Sequence, residues 1–236
     1  MRPVGFSTGA LACSDFRQGL AMMRGRPFEA VELSALRRIE LPRLLDALGS
    51  LDLSPFHYVS IHAPSRCESN EEALIWDQLQ EKIRPEWPII LHPDAIYDFG
   101  LWRELGSRVC IENLDKRKPI GRSARSLRRI FEQLPDASLC FDIGHARQVD
   151  STMTEAYLIL REFGSRLKQV HVSEVNARSK HDPLSFTSVL GFREVANLIP
   201  DSIPLILETP VLESGMDREI EKVREALPSQ RNAMVA

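Results

Sequence analysis

The chain has 236 residues, enough to bury one large core, and its 43% hydrophobic and 27% charged residues are ordinary for a globular protein. A formal charge of −3 and a pI of about 6.1 exclude the globally basic surface that binds nucleic acid or anionic membrane. No apolar run approaches the roughly 20 residues of a membrane span, and the start, MRPVGFSTGALACS, lacks the long apolar core of a signal peptide.

Short apolar runs of strand length alternate with amphipathic stretches. In chain order the expected strands are Val4–Ser7, Ala30–Leu33, Tyr58–Ile61, Ile89–Leu91, Val109–Ile111, Leu139–Phe141, Leu167–Val170 and Leu205–Leu207. Helices are expected over Asp15–Arg24, Pro42–Leu48, Glu71–Ile83, Arg122–Leu134, Met153–Phe163, Phe192–Leu198 and Arg218–Leu227. Eight strand-then-helix units of about 30 residues each predict an α/β fold, a single compact (β/α)8 TIM barrel spanning 1–236. The rival doubly wound sheet lacks its GxGxxG turn after the first strand. No linker or low-complexity tract divides the chain. Four dispersed cysteines (Cys13, Cys67, Cys110, Cys140) form no CxxC pair and are expected to be reduced, which places the protein in the cytoplasm.

The stretch that organises the chain is Leu139-Cys-Phe-Asp142-Ile-Gly-His145, an apolar strand that opens into a loop carrying a carboxylate and an imidazole. The same event recurs. Glu32 follows the second strand, His62 the third, His92 the fourth and Glu112 the fifth. His171 follows the seventh and Glu208 the eighth, with His181 in the loop between them. In a parallel barrel these positions converge on one mouth. Five of the six histidines lie there, and only His57 is elsewhere.

A lone His or Glu ending a strand is usually a satisfied surface group. Gathering four acids and five imidazoles without a cation, however, is costly in repulsion and desolvation. A divalent metal removes that cost, and imidazole with carboxylate suits Mn²⁺, Zn²⁺, Co²⁺ or Fe²⁺. Glu32 either joins the ligands or orients one from behind.

The motifs SIHAP, LHPD, IENL, FDIGHA, HVSE and LETP together resemble the xylose isomerase-like TIM-barrel superfamily over nearly the whole chain. That group holds sugar isomerases and epimerases and the apurinic endonucleases of the endonuclease-four type. The isomerase branch implies a metal set of Glu112, Asp142, His171 and Glu208, with His145 near the substrate. The endonuclease branch implies a three-metal cluster that also uses His62, His92, His145 and His181. Its acid–x–His pair reads Ser179-Lys-His181 here, so the acid is missing and Asp182 follows instead. The resemblance also implies that barrels pair, as a homodimer.

After Glu112 the chain reads KRKPIGRSARSLRR, placing Lys116, Arg117 and Lys118 nearest the mouth. With Arg66, Arg147, Arg178 and Lys180 they suit a phosphate or carboxylate. The leading expectation is isomerisation or epimerisation of a small sugar or sugar phosphate. Glu112 and Glu208 would move the proton, His145 would bond a substrate oxygen, and His62, His92, His181, Lys118 and Arg178 would contact substrate. The alternatives are multi-metal hydrolysis of a phosphodiester and a metal-stabilised barrel without catalysis. Short loops and the acidic balance argue against a nucleic-acid substrate, without excluding it.

Overall fold

The computed structural model describes residues 2–229. Eight parallel strands close into a barrel: β1 (Val4–Ser7), β2 (Ala30–Ser34), β3 (Tyr58–His62), β4 (Ile89–Leu91), β5 (Val109–Glu112), β6 (Ser138–Asp142), β7 (Leu167–Val172) and β10 (Leu205–Leu207). Between β7 and β10 lies a small antiparallel hairpin, β8 (Glu174–Val175) and β9 (His181–Asp182). The helices around the barrel are α1 (Thr8–Leu11), α2 (Phe16–Met23), α3 (Leu41–Ala47), α4 (Glu72–Lys82), α5 (Phe99–Arg103), α6 (Ala124–Gln133), α7 (Ile143–Val149), α8 (Thr154–Phe163), α9 (Phe186–Arg193) and α10 (Met216–Ala226). The fold is a (β/α)8 TIM barrel. No helix among the described residues is long and apolar enough to cross a membrane.

All eight strands fall where the apolar runs predict, but five extend past the predicted ends. The extra residues are mostly polar, because hydrogen bonding to parallel neighbours continues into the mouth after the outer apolar layer ends. Two helix expectations need correction. The helix expected over Phe192–Leu198 is α9, which starts at Phe186 because Ser185 caps it in a reciprocal bond with Ser188, leaving only a 3₁₀ turn at Ala196–Leu198. The loop expected after Asp142 is absent, since α7 begins at Ile143.

Strand alternation splits the molecule into two environments. Outward positions such as Phe6, Val31, Ile61, Ile111, Phe141 and Val170 pack under the helices in one continuous apolar cluster. Inward positions are largely polar. The apolar cluster inside is small: Ile90, Cys110 and Cys140. The four cysteines are free, as expected, and these two are buried. Around them stand Glu32, Ser60, His62, Gln169 and His171, each at most 1% exposed. Gly5 is required on this wall, because a Cβ there would lie 1.6 Å from the carbonyl oxygen of Ala30.

Candidate metal centre

Glu112, the last residue of β5, is the hub. Its Oε2 lies 3.2 Å from His62 Nε2 and 3.2 Å from His92 Nε2. Its Oε1 faces the other way, 3.3 Å from His145 Nδ1 and 3.6 Å from His171 Nδ1. Glu208, just beyond β10, brings Oε2 to 3.4 Å from His171 Nδ1 and 3.7 Å from His181 Nδ1. Thus β3, β4, β5, β6, β7, β10 and the hairpin all deliver a donor to one place.

Local structure aims each group. Asp142 ends β6 and caps α7, its Oδ1 accepting the His145 amide at 2.6 Å. Its other oxygen, Oδ2, is buried with no hydrogen-bond partner. Asn113 pins the strand end with two bonds: its side chain donates to the Asp142 carbonyl at 2.7 Å and accepts from the Asp142 amide at 2.8 Å. Gly144 lets α7 seat against the strand that follows, since a Cβ there would meet the Ser173 carbonyl oxygen at 2.4 Å. The glycine of the FDIGHA stretch is therefore a close-approach glycine.

Hydrogen bonds to carbonyls and carboxylates fix the imidazoles. His62 Nδ1 donates to the Ala63 carbonyl at 2.7 Å and His145 Nδ1 to that of Asn113 at 3.0 Å, which fixes both ring orientations. His171 Nε2 donates to Glu32 Oε2 at 2.9 Å, and its Nδ1 is buried without a hydrogen bond. A relay stands behind Glu32. Its Oε2 also accepts from Gln169 Nε2 at 2.7 Å and Ser60 Oγ at 3.2 Å, and Gln169 Oε1 accepts from Tyr58 OH at 2.7 Å. Glu32 is thus inside β2, below the mouth, bonded to His171 from behind, and with His62 and Glu208 it offers a further set of ligand atoms; it is not on the rim, because β2 runs on to Ser34.

These atoms fit a divalent cation. Glu112, Asp142, His171 and Glu208 offer ligand atoms within 4.8 Å of one another, and His62, His92 and Glu112 do so separately. The unpartnered Asp142 Oδ2, His171 Nδ1 and His92 Nδ1 are buried polar atoms of a kind that folded proteins otherwise satisfy. Cys140 also lies within reach of Glu112 and His171. Burial raises its thiol pKa, however, and its sulfur accepts from Gln169, so it is the weaker donor.

Without a cation the cluster shares protons unevenly. Burial, with the charges of Glu112 and Glu208, pushes Asp142 up to about 6, and burial with Glu112 and Glu32 raises Glu208. Burial acts the same way on Glu112, but His92, His171 and His145 outweigh it and hold that carboxyl well below its usual range. Burial opposes protonation of His145, yet Asp142 and Glu112 raise it to about 10; His62 rises to about 9 against burial through Glu112 and Glu32. His181 is pushed down to about 4 by burial and by His145.

The centre opens into a cavity of about 300 Å³, lined also by Arg66, Asp115, Arg117, Lys118 and Ser179. Lys118 donates to Asp94 at 2.8 Å. Arg178 does not line the cavity. It is exposed on the hairpin turn, and its carbonyl accepts from Arg117 at 2.8 Å, so Arg117 is the guanidinium presented to the mouth. The hairpin is tied down by Ser179 Oγ donating to Asp115 Oδ1 at 2.5 Å and by Gln148 Nε2 donating to the Asn176 carbonyl at 2.5 Å. Ser173 Oγ bonds His181 Nδ1 at 2.7 Å. Sequence reasoning did not single out Asn113, Asp115, Ser173 or Gln169. Asn113 and Ser173 stand inside the IENL and HVSE stretches, so their adjacency to ligands was the available signal.

Sequence comparison finds no matching family model and no matching curated protein. Solved structures do match in fold. Endonuclease IV from Thermus thermophilus is 18% identical with a TM-score of 0.62, over 96% of this chain and 99% of that one. A candidate sugar phosphate isomerase/epimerase from Anabaena variabilis is 12% identical with a TM-score of 0.59, over 93% and 88%. A xylose isomerase-like TIM barrel protein from Mycobacterium smegmatis, in complex with magnesium, is 11% identical with a TM-score of 0.56, over 96% and 98%. The chain therefore shares the (β/α)8 barrel fold of these three proteins.

Proposed function

We propose that the protein is a two-metal hydrolase of a compact phosphate ester. One observation carries this: the two oxygens of Glu112 face two separate donor sets, His62 with His92 on one side and His171 with Asp142 and Glu208 on the other. A carboxylate so placed would serve both sets if each held a divalent cation. Asp142, His171 and Glu208 would complete one ion's shell, and His62 and His92 the other's. Bound divalent ions would supply Lewis acidity toward a phosphoryl oxygen and make water easier to deprotonate.

The chain's own residues account for the rest. Arg66, Arg117 and Lys118 line the cavity and would hold the substrate's phosphoryl oxygens in place. Glu208, raised by burial and neighbouring acids, lines the cavity and would take the proton from attacking water. His145 and His181 stand with ring centroids 5.5 Å apart at the cavity edge, where their free nitrogens would bond substrate oxygens.

A second reading, isomerisation or epimerisation of a sugar phosphate around one ion, is favoured by Glu112 and Glu208 flanking His171 Nδ1 at 3.6 and 3.4 Å. Two such carboxylates suit removal and return of a proton. Elemental analysis of the purified protein decides between them, followed by assay of bis(p-nitrophenyl) phosphate, an abasic-site oligonucleotide and a ketose phosphate panel. Two ions per chain with phosphate-ester cleavage, lowered at least about 100-fold in Glu208→Gln, is the expected result. One ion per chain with ketose turnover overturns it.

A further inference from the structure

The cavity does not end at the metal centre. Leu36, Ser65 and Arg66 on its wall also line a neighbouring hollow of about 580 Å³ above β1, β2 and β3. Three arginines, Arg37, Arg38 and Arg66, line that hollow, with no carboxylate among its lining residues. Two of them are anchored from outside. Glu40 holds Arg37 through a hydrogen bond at Nε, 2.5 Å, while Glu71 lies 2.8 Å from Arg38 Nε as an ion pair outside hydrogen-bond geometry. Their terminal nitrogens make no hydrogen bond among the described residues. Arg66 pairs with no acid among them either, and it alone of the three faces both spaces.

The ridge between the spaces is firm. Ser65 donates to the Leu36 carbonyl through both its amide, at 3.2 Å, and its hydroxyl, at 3.3 Å, which zips the β2 and β3 loops together. The far wall is formed by Cys13 and Ser14, both in left-handed backbone with φ of 50° and 71°. The Ser14 amide, donating to Gly9 at 3.1 Å, keeps this turn in place. Strained non-glycine backbone of this kind persists where the surroundings fix it, and it gathers at ligand-binding loops. A guanidinium held by an acid through Nε loses less freedom when its terminal nitrogens take an anion.

We propose that this hollow is a second anion subsite, and that the substrate carries two phosphoryl groups, one at the metal centre and one against Arg37, Arg38 and Arg66. The inference rests on the reading of the mouth as a phosphate-ester site. Each phosphoryl–guanidinium contact is charge-assisted, so a bisphosphate gains at least about tenfold in affinity over a monophosphate.

The test is calorimetric titration of the Mn²⁺-loaded protein with fructose 1,6-bisphosphate, fructose 6-phosphate and fructose 1-phosphate. The bisphosphate is expected to bind at least about tenfold more tightly than either monophosphate. Arg37→Gln with Arg38→Gln is expected to remove that advantage while monophosphate affinity and the circular dichroism stay those of the parent. Equal affinity for the three sugars, no binding by any, or an advantage that survives in the double variant overturns the subsite. Because the readout is binding, its failure leaves the two-ion reading to be judged separately, by metal count.

Discussion

Replacing Glu32 by Gln tests whether the carboxylate behind His171 tunes the metal centre. Three donors converge on Glu32 Oε2: His171 Nε2 at 2.9 Å, Gln169 Nε2 at 2.7 Å and Ser60 Oγ at 3.2 Å. An amide oxygen can accept from them but carries no charge. A hydrogen bond to a charged group contributes about 1.5–3 kcal/mol and a neutral one about 0.5–1.5 kcal/mol. The difference of roughly 1–1.5 kcal/mol is about tenfold in metal affinity, and loss of such supporting partners costs about 10–100-fold elsewhere. Glu32→Gln should therefore bind Zn²⁺ or Mn²⁺ about 10–100-fold more weakly in competition with a fluorescent chelator, with its circular dichroism unchanged. Affinity within twofold of the parent would refute the reasoning, because it would mean that Glu32 merely fills the barrel.

Metal uptake should release protons. At pH 7.5 the raised His171 holds a proton where a ligand lone pair is needed, so the binding heat should vary with the ionisation enthalpy of the buffer. Asp142, up at about 6, must be ionised to bind, so metal affinity should rise with pH from 5 to 7 and fall about tenfold per unit below 6; a flat profile contradicts this. Gly144→Ala places a Cβ 2.4 Å from the Ser173 carbonyl oxygen and should cost about 1–3 kcal/mol in urea unfolding and weaken metal binding, whereas Gly164→Ala, with nothing within 4 Å, should do neither. Arg2 is 6% exposed and donates to the Leu227 and Ile199 carbonyls at 3.1 and 2.8 Å. Arg2→Met orphans both and should lower the melting temperature by about 5–15 °C, from about 2–4 kcal/mol lost in a chain of this size. A fall under about 2 °C would show that water replaces the guanidinium.

The barrel was legible because strand and helix periods alternate cleanly and a polar residue closes each apolar run. Asp142, His145, His171 and Glu208 could be placed at one mouth by counting from the strand ends. Glu32 was misplaced at the rim although the expected strand, Ala30–Leu33, already contained it, since an apolar run marks the outer face of a strand and is silent about the depth of its inward residues. Arg178 illustrates a different limit. Its sequence neighbourhood put it near the mouth, but the tie between Asp115 and Ser179 turns the hairpin so that Arg117 faces in instead. The split between the two oxygens of Glu112 depends on distances across the barrel, which no local pattern encodes.

The alternation that puts apolar residues outward and polar residues inward assigns the two tasks of the molecule to opposite sides of the same strands. Cohesion resides in the shell between sheet and helices, and the lumen contributes little of it beyond Ile90, Cys110 and Cys140. Inward positions can therefore change chemistry without touching that shell, provided the buried charges left behind remain paired. A lineage built on such a wall can alter its ligands, and with them its chemistry, while the outer packing keeps the barrel closed.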